Sequence, residues 1–166
     1  MGREVRMVPP WWVHPRDGDR THRDGSPAYK PMYDRSFLVD EAEWLECKRH
    51  WDAGEVEDWE NGGWKPKDSS MVGRYEDYDG EYPDPTYYMP DWPKEQRTHF
   101  QMYEDTSEGT PISPIFETPE ELARWLADNG TSFFGGQRTS YEHWLGIVKG
   151  TSIGLPVLVS TKKEQP

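Results

Sequence analysis

A chain of 166 residues with 33% hydrophobic and 14% aromatic side chains has room for one ordinary domain with a small core, plus irregular chain around it. A single cysteine excludes an intrachain disulfide framework, and no apolar run approaches the length of a membrane span or forms the core of a secretory signal. The net charge of −12 is uneven: residues 1–30 hold six basic and four acidic side chains, whereas residues 40–128 hold 24 acidic and eight basic, net −16, which argues against direct binding to nucleic-acid phosphates.

Residues 1–36 read as an extended arm. Pro9, Pro10, Pro15, Pro27 and Pro31 forbid a helix through most of it. Trp11, Trp12, Tyr29, Met32 and Tyr33 are too apolar to be left in water and are expected to dock on the domain or on a partner. Residues 37–97 read as an acidic, aromatic-rich helix followed by an irregular segment. The helix is expected over 38–52, capped by Asp40, with Trp44, Cys47, Lys48 and Trp51 on one face and a stop near Gly54. Turn signals follow at Asn61-Gly62-Gly63 and Asp79-Gly80, among Trp59, Trp64, Tyr75, Tyr78, Tyr82, Tyr87, Tyr88 and Trp92. No internal repeat is visible.

Residues 98–160 read as the core unit. Phe100 and Met102 alternate with Gln101 and Tyr103 as in a half-buried strand. Asp105 to Thr110 forms a turn-rich loop in which Gly109 takes a positive φ. Ile112 to Phe116 follows as an edge strand limited by Pro111 and Pro114. Thr118, Pro119 and Glu121 open a helix with a capping box, Leu122, Trp125 and Leu126 form its apolar stripe, and Asn129-Gly130 ends it. Phe133 and Phe134 are expected to fold back on the core. A second helix opens at a Thr139–Glu142 capping box and buries Trp144, Leu145, Ile147 and Val148. A last strand is expected over 153–160, then a frayed tail over 161–166. The fold class is therefore α+β: a small antiparallel sheet with two covering helices (β-β-α-α-β) and an extended N-terminal arm rich in proline and aromatic residues.

Three motifs stand close together: Phe100-Gln-Met-Tyr-Glu104, Ser107-Glu-Gly-Thr-Pro-Ile-Ser-Pro-Ile-Phe116 and Thr118-Pro-Glu-Glu-Leu122. With them, residues 98–126 resemble a family of uncharacterised tailed-bacteriophage and prophage proteins. The resemblance extends over roughly the last 70 residues and implies a phage origin, without implying an activity. Some members carry Cys-x-x-Cys pairs upstream that look like a zinc ribbon; this chain has Cys47-Lys-Arg-His50 in that region.

Few residues point to chemistry. Cys47 and His50 lie one helical turn apart, but zinc needs about four ligands. Glu104, Asp105 and Glu108 cluster around Ser107, in a pattern that a hydrogen-bonded turn also explains. Asp77 to Glu81 matches only part of a calcium loop. No phosphate-binding loop, nucleophile elbow or HExxH motif is present. The expectation is a protein that is not an enzyme and has no catalytic, metal or cofactor site.

The remaining feature is a set of aromatic residues among acids: Glu55, Glu57, Asp58, Trp59, Glu60, Trp64, Glu76, Asp77, Asp79 and Glu81. Aromatic anchors with acidic steering suit a basic protein surface. The expected role is a phage accessory protein acting by protein–protein binding in the host cytoplasm. Its partner would be a host nucleic-acid-binding enzyme, inhibited by mimicry of nucleic acid, with no membrane involved. A virion strap bound to phage structural proteins and a small metal-dependent enzyme are the alternatives.

Overall fold

The computed structural model describes residues 2–106, 109–132 and 138–150. In chain order its elements are β1 (Arg3–Val8), β2 (Arg16–Thr21), β3 (Pro27–Tyr29), α1 (Phe37–Asp52), β4 (Glu55–Glu57), β5 (Trp64–Pro66), α2 (Tyr75–Asp79), β6 (His99–Glu104), β7 (Thr110–Pro111), α3 (Pro119–Asp128) and α4 (Tyr141–Val148). The architecture is mixed α+β. The chain divides into two compact units: Met1–Asp34 with Met89–Pro166, and Arg35–Tyr88. The expected last strand over 153–160, the tail, the Phe133–Phe134 loop, Ser107 and Glu108 lie outside the described residues.

The first unit is built on a three-stranded antiparallel sheet of order β1-β6-β7. The stretch expected as an arm is indeed extended, but Arg3–Val8 is built into this sheet. It pairs with the whole of β6, from Arg3 opposite Glu104 to Val8 opposite His99. β6 is therefore the central strand and is buried on both faces, not one. On one face Met102 and Val5 pack with Leu122, Ala123, Leu126, Trp144, Ile147 and Val148 of the two helices. On the other, Tyr103 and Val8 pack with Met32, Met89 and Trp92. Within the rest of the arm, β2 and β3 form a hairpin.

The helices follow from their caps. Thr118 Oγ1 accepts from the Glu121 N–H at 3.2 Å, while Glu121 accepts from the Thr118 N–H at 3.1 Å. At the other end Thr131 N–H reaches the Leu126 carbonyl and Gly130 N–H that of Ala127, with Gly130 at φ 65°. That is the left-handed glycine stop expected of Asn129-Gly130. The α4 cap is Ser140, whose hydroxyl accepts from the His143 N–H, one residue later than expected.

The Tyr103 face holds a buried polar network. Arg6 is paired with Glu4, donates to the Met32 carbonyl at 2.7 Å and lies 4.3 Å from the Tyr103 ring centroid. The Tyr103 hydroxyl donates to Gln101 Oε1 and accepts from Trp12 Nε1–H. It also lies 3.2 Å from His14 Nδ1. His14 Nε2–H donates to the Lys30 carbonyl at 2.7 Å. Burial lowers the His14 pKa, an effect opposed by the Lys30 bond and reinforced by Arg6. Gly109 fits here for want of a side chain. Its φ is 94°, and a Cβ would lie 2.1 Å from the Met32 oxygen. Met89 N–H bonds the Tyr33 carbonyl at 2.9 Å, close to where the chain leaves this unit and returns to it.

The second unit has one helix, one hairpin and a small core of Trp51, Val56 and Tyr75, with Trp44, Cys47 and Met71 against it. Helix α1 starts after Ser36, with Asp40 in its first turn. Asp40 does not cap the helix: it pairs with Arg35 at 2.6 Å and accepts from the Tyr88 hydroxyl at 2.7 Å. The expected face holds for Trp44, Cys47 and Trp51, and Gly54 ends the helix region at φ 88°. The segment expected to be irregular contains the β4–β5 hairpin, with Glu55 opposite Pro66 and Glu57 opposite Trp64. Among the described residues no helix is long and apolar enough to cross a membrane.

Candidate functional site

All ten acidic and aromatic residues singled out in the sequence fall within the second unit. Six lie on the β4–β5 hairpin, three on α2, and Glu81 just beyond it. This unit carries fifteen acidic and six basic side chains, net −9, of the chain's −12. The hairpin and α2 are held together because Val56 and Tyr75 share one core with Trp51 of α1. Val56 points inward, so its neighbours Glu55 and Glu57 occupy the opposite face of the strand.

Burial pushes the Cys47 thiol above its ordinary value. A hydrogen bond with Tyr75 works against that rise, while Glu57 of β4, Asp79 of α2 and Glu43 of α1 add to it. Tyr75 donates to Asp79 Oδ2 at 2.6 Å, and burial with that bond raises the phenol pKa. Glu43 was not among the sequence candidates. Its signal was available, since it sits one helical turn before Cys47.

Other candidates are engaged internally. Asp77 accepts from the Arg74 N–H, and Glu76 pairs with Arg74 at 3.4 Å. Glu55 accepts from His50 Nδ1–H at 2.6 Å, and His50 Nε2 accepts from Arg49. Trp64 stacks on the His50 ring, centroids 3.6 Å apart and planes at 8°. Both His50 nitrogens are thus engaged in hydrogen bonds. Among the described residues no group of three or more His, Cys, Asp or Glu converges to hold an ion. Glu104 is paired with Arg3 at 2.9 Å, so the candidate loop of the first unit presents no free carboxylate pair in Glu104 and Asp105.

Two aromatic side chains are left on the acidic surface. Tyr78, 52% exposed, lies against Trp51 with centroids 4.6 Å apart. Trp59, at 82%, stands at the hairpin tip. A shallow groove of about 470 Å³ in the first unit is lined by Phe116, Glu120, Arg124, Trp125, Asp128 and Tyr141. Its charges are largely matched from within: Arg124 lies 3.9 Å over the Tyr141 ring and Glu120 pairs with Lys149. It contains no nucleophile beside a base.

No protein-family model, curated protein or solved structure matches this chain. The chemistry of the site is therefore read from its own residues: acidic side chains with two exposed aromatic groups among them.

Proposed function

We propose that the second unit is a docking module that binds a basic protein surface through its acidic side chains, Glu43, Glu57 and Asp79 among them, together with the hairpin tip. The observation that supports this reading is the net charge of −9 on this unit beside the exposed Trp59 and Tyr78. Like charges within one unit repel one another, and a complementary field relieves that repulsion. Joined to the phage resemblance of residues 98–126, the finer form of the proposal is an accessory protein in the host cytoplasm. It would occupy a nucleic-acid-binding host enzyme by presenting carboxylates where phosphates would lie.

The test is capture from host-cell extract by the immobilised protein and by a Glu43→Gln/Glu57→Gln/Asp79→Asn variant, at low and high salt. The expected result is a nucleic-acid-binding protein retained at low salt, released at high salt or by duplex DNA, and lost with the variant. Capture that ignores both salt and the variant sinks the proposal. Cys47 supplies a local readout because it is the chain's one thiol: a bound partner slows its alkylation.

A further inference from the structure

Trp59 differs from the other tryptophans of its unit. Trp51 is 3% exposed and donates to the Gly73 carbonyl. Trp44 donates to the Gly80 carbonyl, and Trp64 is stacked on His50. Trp59 is 82% exposed. Among the described residues it stacks on no ring and its indole N–H donates no hydrogen bond.

The loop that carries it is nevertheless well tied. Asp58 N–H donates to the Gly63 carbonyl at 2.8 Å, and Gly62 N–H to the Asp58 carbonyl at 2.7 Å. The Asp58 carboxylate accepts from Glu60 N–H at 3.2 Å and from Asn61 Nδ2–H at 2.9 Å, with Lys65 Nζ at 3.5 Å. These bonds, led by the one from Asn61, hold its carboxyl below the usual range. Gly62 and Gly63 sit at φ 79° and 77°, a conformation that only glycine adopts without strain. A loop this constrained holds a bare indole in water at a hydrophobic cost. Much of the ordering entropy of binding is already met.

We infer that the 58–63 tip is a preassembled anchor whose Trp59 enters an apolar slot with a basic rim on a partner protein. The inference rests on the docking reading above and names its central contact. Charge selects this occupant. An anionic membrane leaflet or a nucleic acid stacking on the indole would meet a unit of net charge −9, and so would a second copy of the chain. A basic protein surface is attracted, and Asp58 and Glu60, the chain neighbours of Trp59, supply acidic groups for the rim.

The experiment uses the full chain labelled with 5-fluorotryptophan, its Trp59 resonance assigned through Trp59→Phe. Two probes are titrated: an amphipathic Lys/Leu peptide and polylysine. The expected result is that the Lys/Leu peptide moves the Trp59 signal and binds Trp59→Ala at least about tenfold more weakly. Asp58→Ala, which keeps the indole but unties the loop, weakens the same peptide, and Asp58→Asn restores it. If the peptide binds Trp59→Ala as tightly as the parent and leaves the Trp59 signal in place, the anchor is refuted while the acidic docking face stands. If neither probe binds, both readings fall.

Discussion

Five tryptophans belong to the sheet unit and four to the acidic unit, and each unit leaves one mostly in solvent, Trp11 at 62% and Trp59 at 82%, but the two units differ in how they bury the others. In the sheet unit Trp144 of α4 is fully buried against α3 and the Val5–Met102 face of the sheet, and Trp92 closes the opposite face of β6 with Met32, Met89 and Tyr103. In the acidic unit Trp51 anchors a three-residue core, while Trp59 and Tyr78 face solvent. Charge divides the same way: −9 in the 54 residues of the acidic unit against −3 in the other 112. Aromatic richness alone therefore marks neither a core nor a binding surface. What decides is whether strands or helices close over the rings.

The largest expected effect sharpens that contrast. Trp144→Ala removes a fully buried indole and should cost about 3–5 kcal/mol. In hydrogen exchange the amides of β6 should lose protection well before those of α1 do. Equal loss in both would merge the units into one cooperative block and break the comparison. Gly109→Ala comes next, at about 2–4 kcal/mol, because its φ and the Met32 carbonyl both oppose a Cβ. Urea titration followed by near-ultraviolet absorption reads it, and a change within error would mean that β7 yields freely.

Thr118→Ala should cost about 1 kcal/mol through loss of one half of the α3 capping box, with Thr118→Ser restoring it. A smaller effect is set by pH. The His14 pKa in the folded chain lies below its ordinary 6.5, so the unfolded chain binds this proton more readily. Its contribution to stability is complete above about pH 6.5 and is lost as pH falls through the lowered native value. Glu4 runs the other way, since burial raises its pKa and outweighs Arg6, while Asp34 and Asp105 add to the rise. The difference between parent and His14→Gln melts from pH 7 to 5 isolates the histidine. Last, Trp59→Ala should shift stability by less than about 0.5 kcal/mol. A larger loss in thermal melting would place the indole in the core and remove it from the surface.

Local signals were the legible ones. The Thr118–Glu121 box, the Asn129-Gly130 stop, the positive φ of Gly109 and the Trp44–Cys47–Trp51 face each depend on residues within one or two turns. The role of Arg3–Val8 was not legible. A half-buried strand alternates apolar and polar positions, but here Val5, Arg6 and Val8 are all buried. The sheet is covered on both faces, and Arg6 is admitted to one of them by its pairing with Glu4. The β4–β5 hairpin was hidden for another reason. Its strands are three residues each, Glu-Val-Glu and Trp-Lys-Pro, too short for a period to show. At the candidate site composition marks the acidic segment, but how its carboxylates are arranged depends on tertiary packing that charge counts cannot give.

The backbone bond from Met89 to Tyr33 has a consequence for how such a chain could be assembled. It fastens together the two points between which residues 35–88 run, so the acidic segment leaves and returns at one place. To the sheet, 54 residues there are simply a long loop. Closure entropy grows only with the logarithm of length, so replacing them by a five-residue linker would change it by roughly 2 kcal/mol. The segment thus has the character of a graft: cargo that can be lengthened, exchanged or removed at a fixed attachment while β1, β6 and the two capped helices continue to specify their own half of the protein.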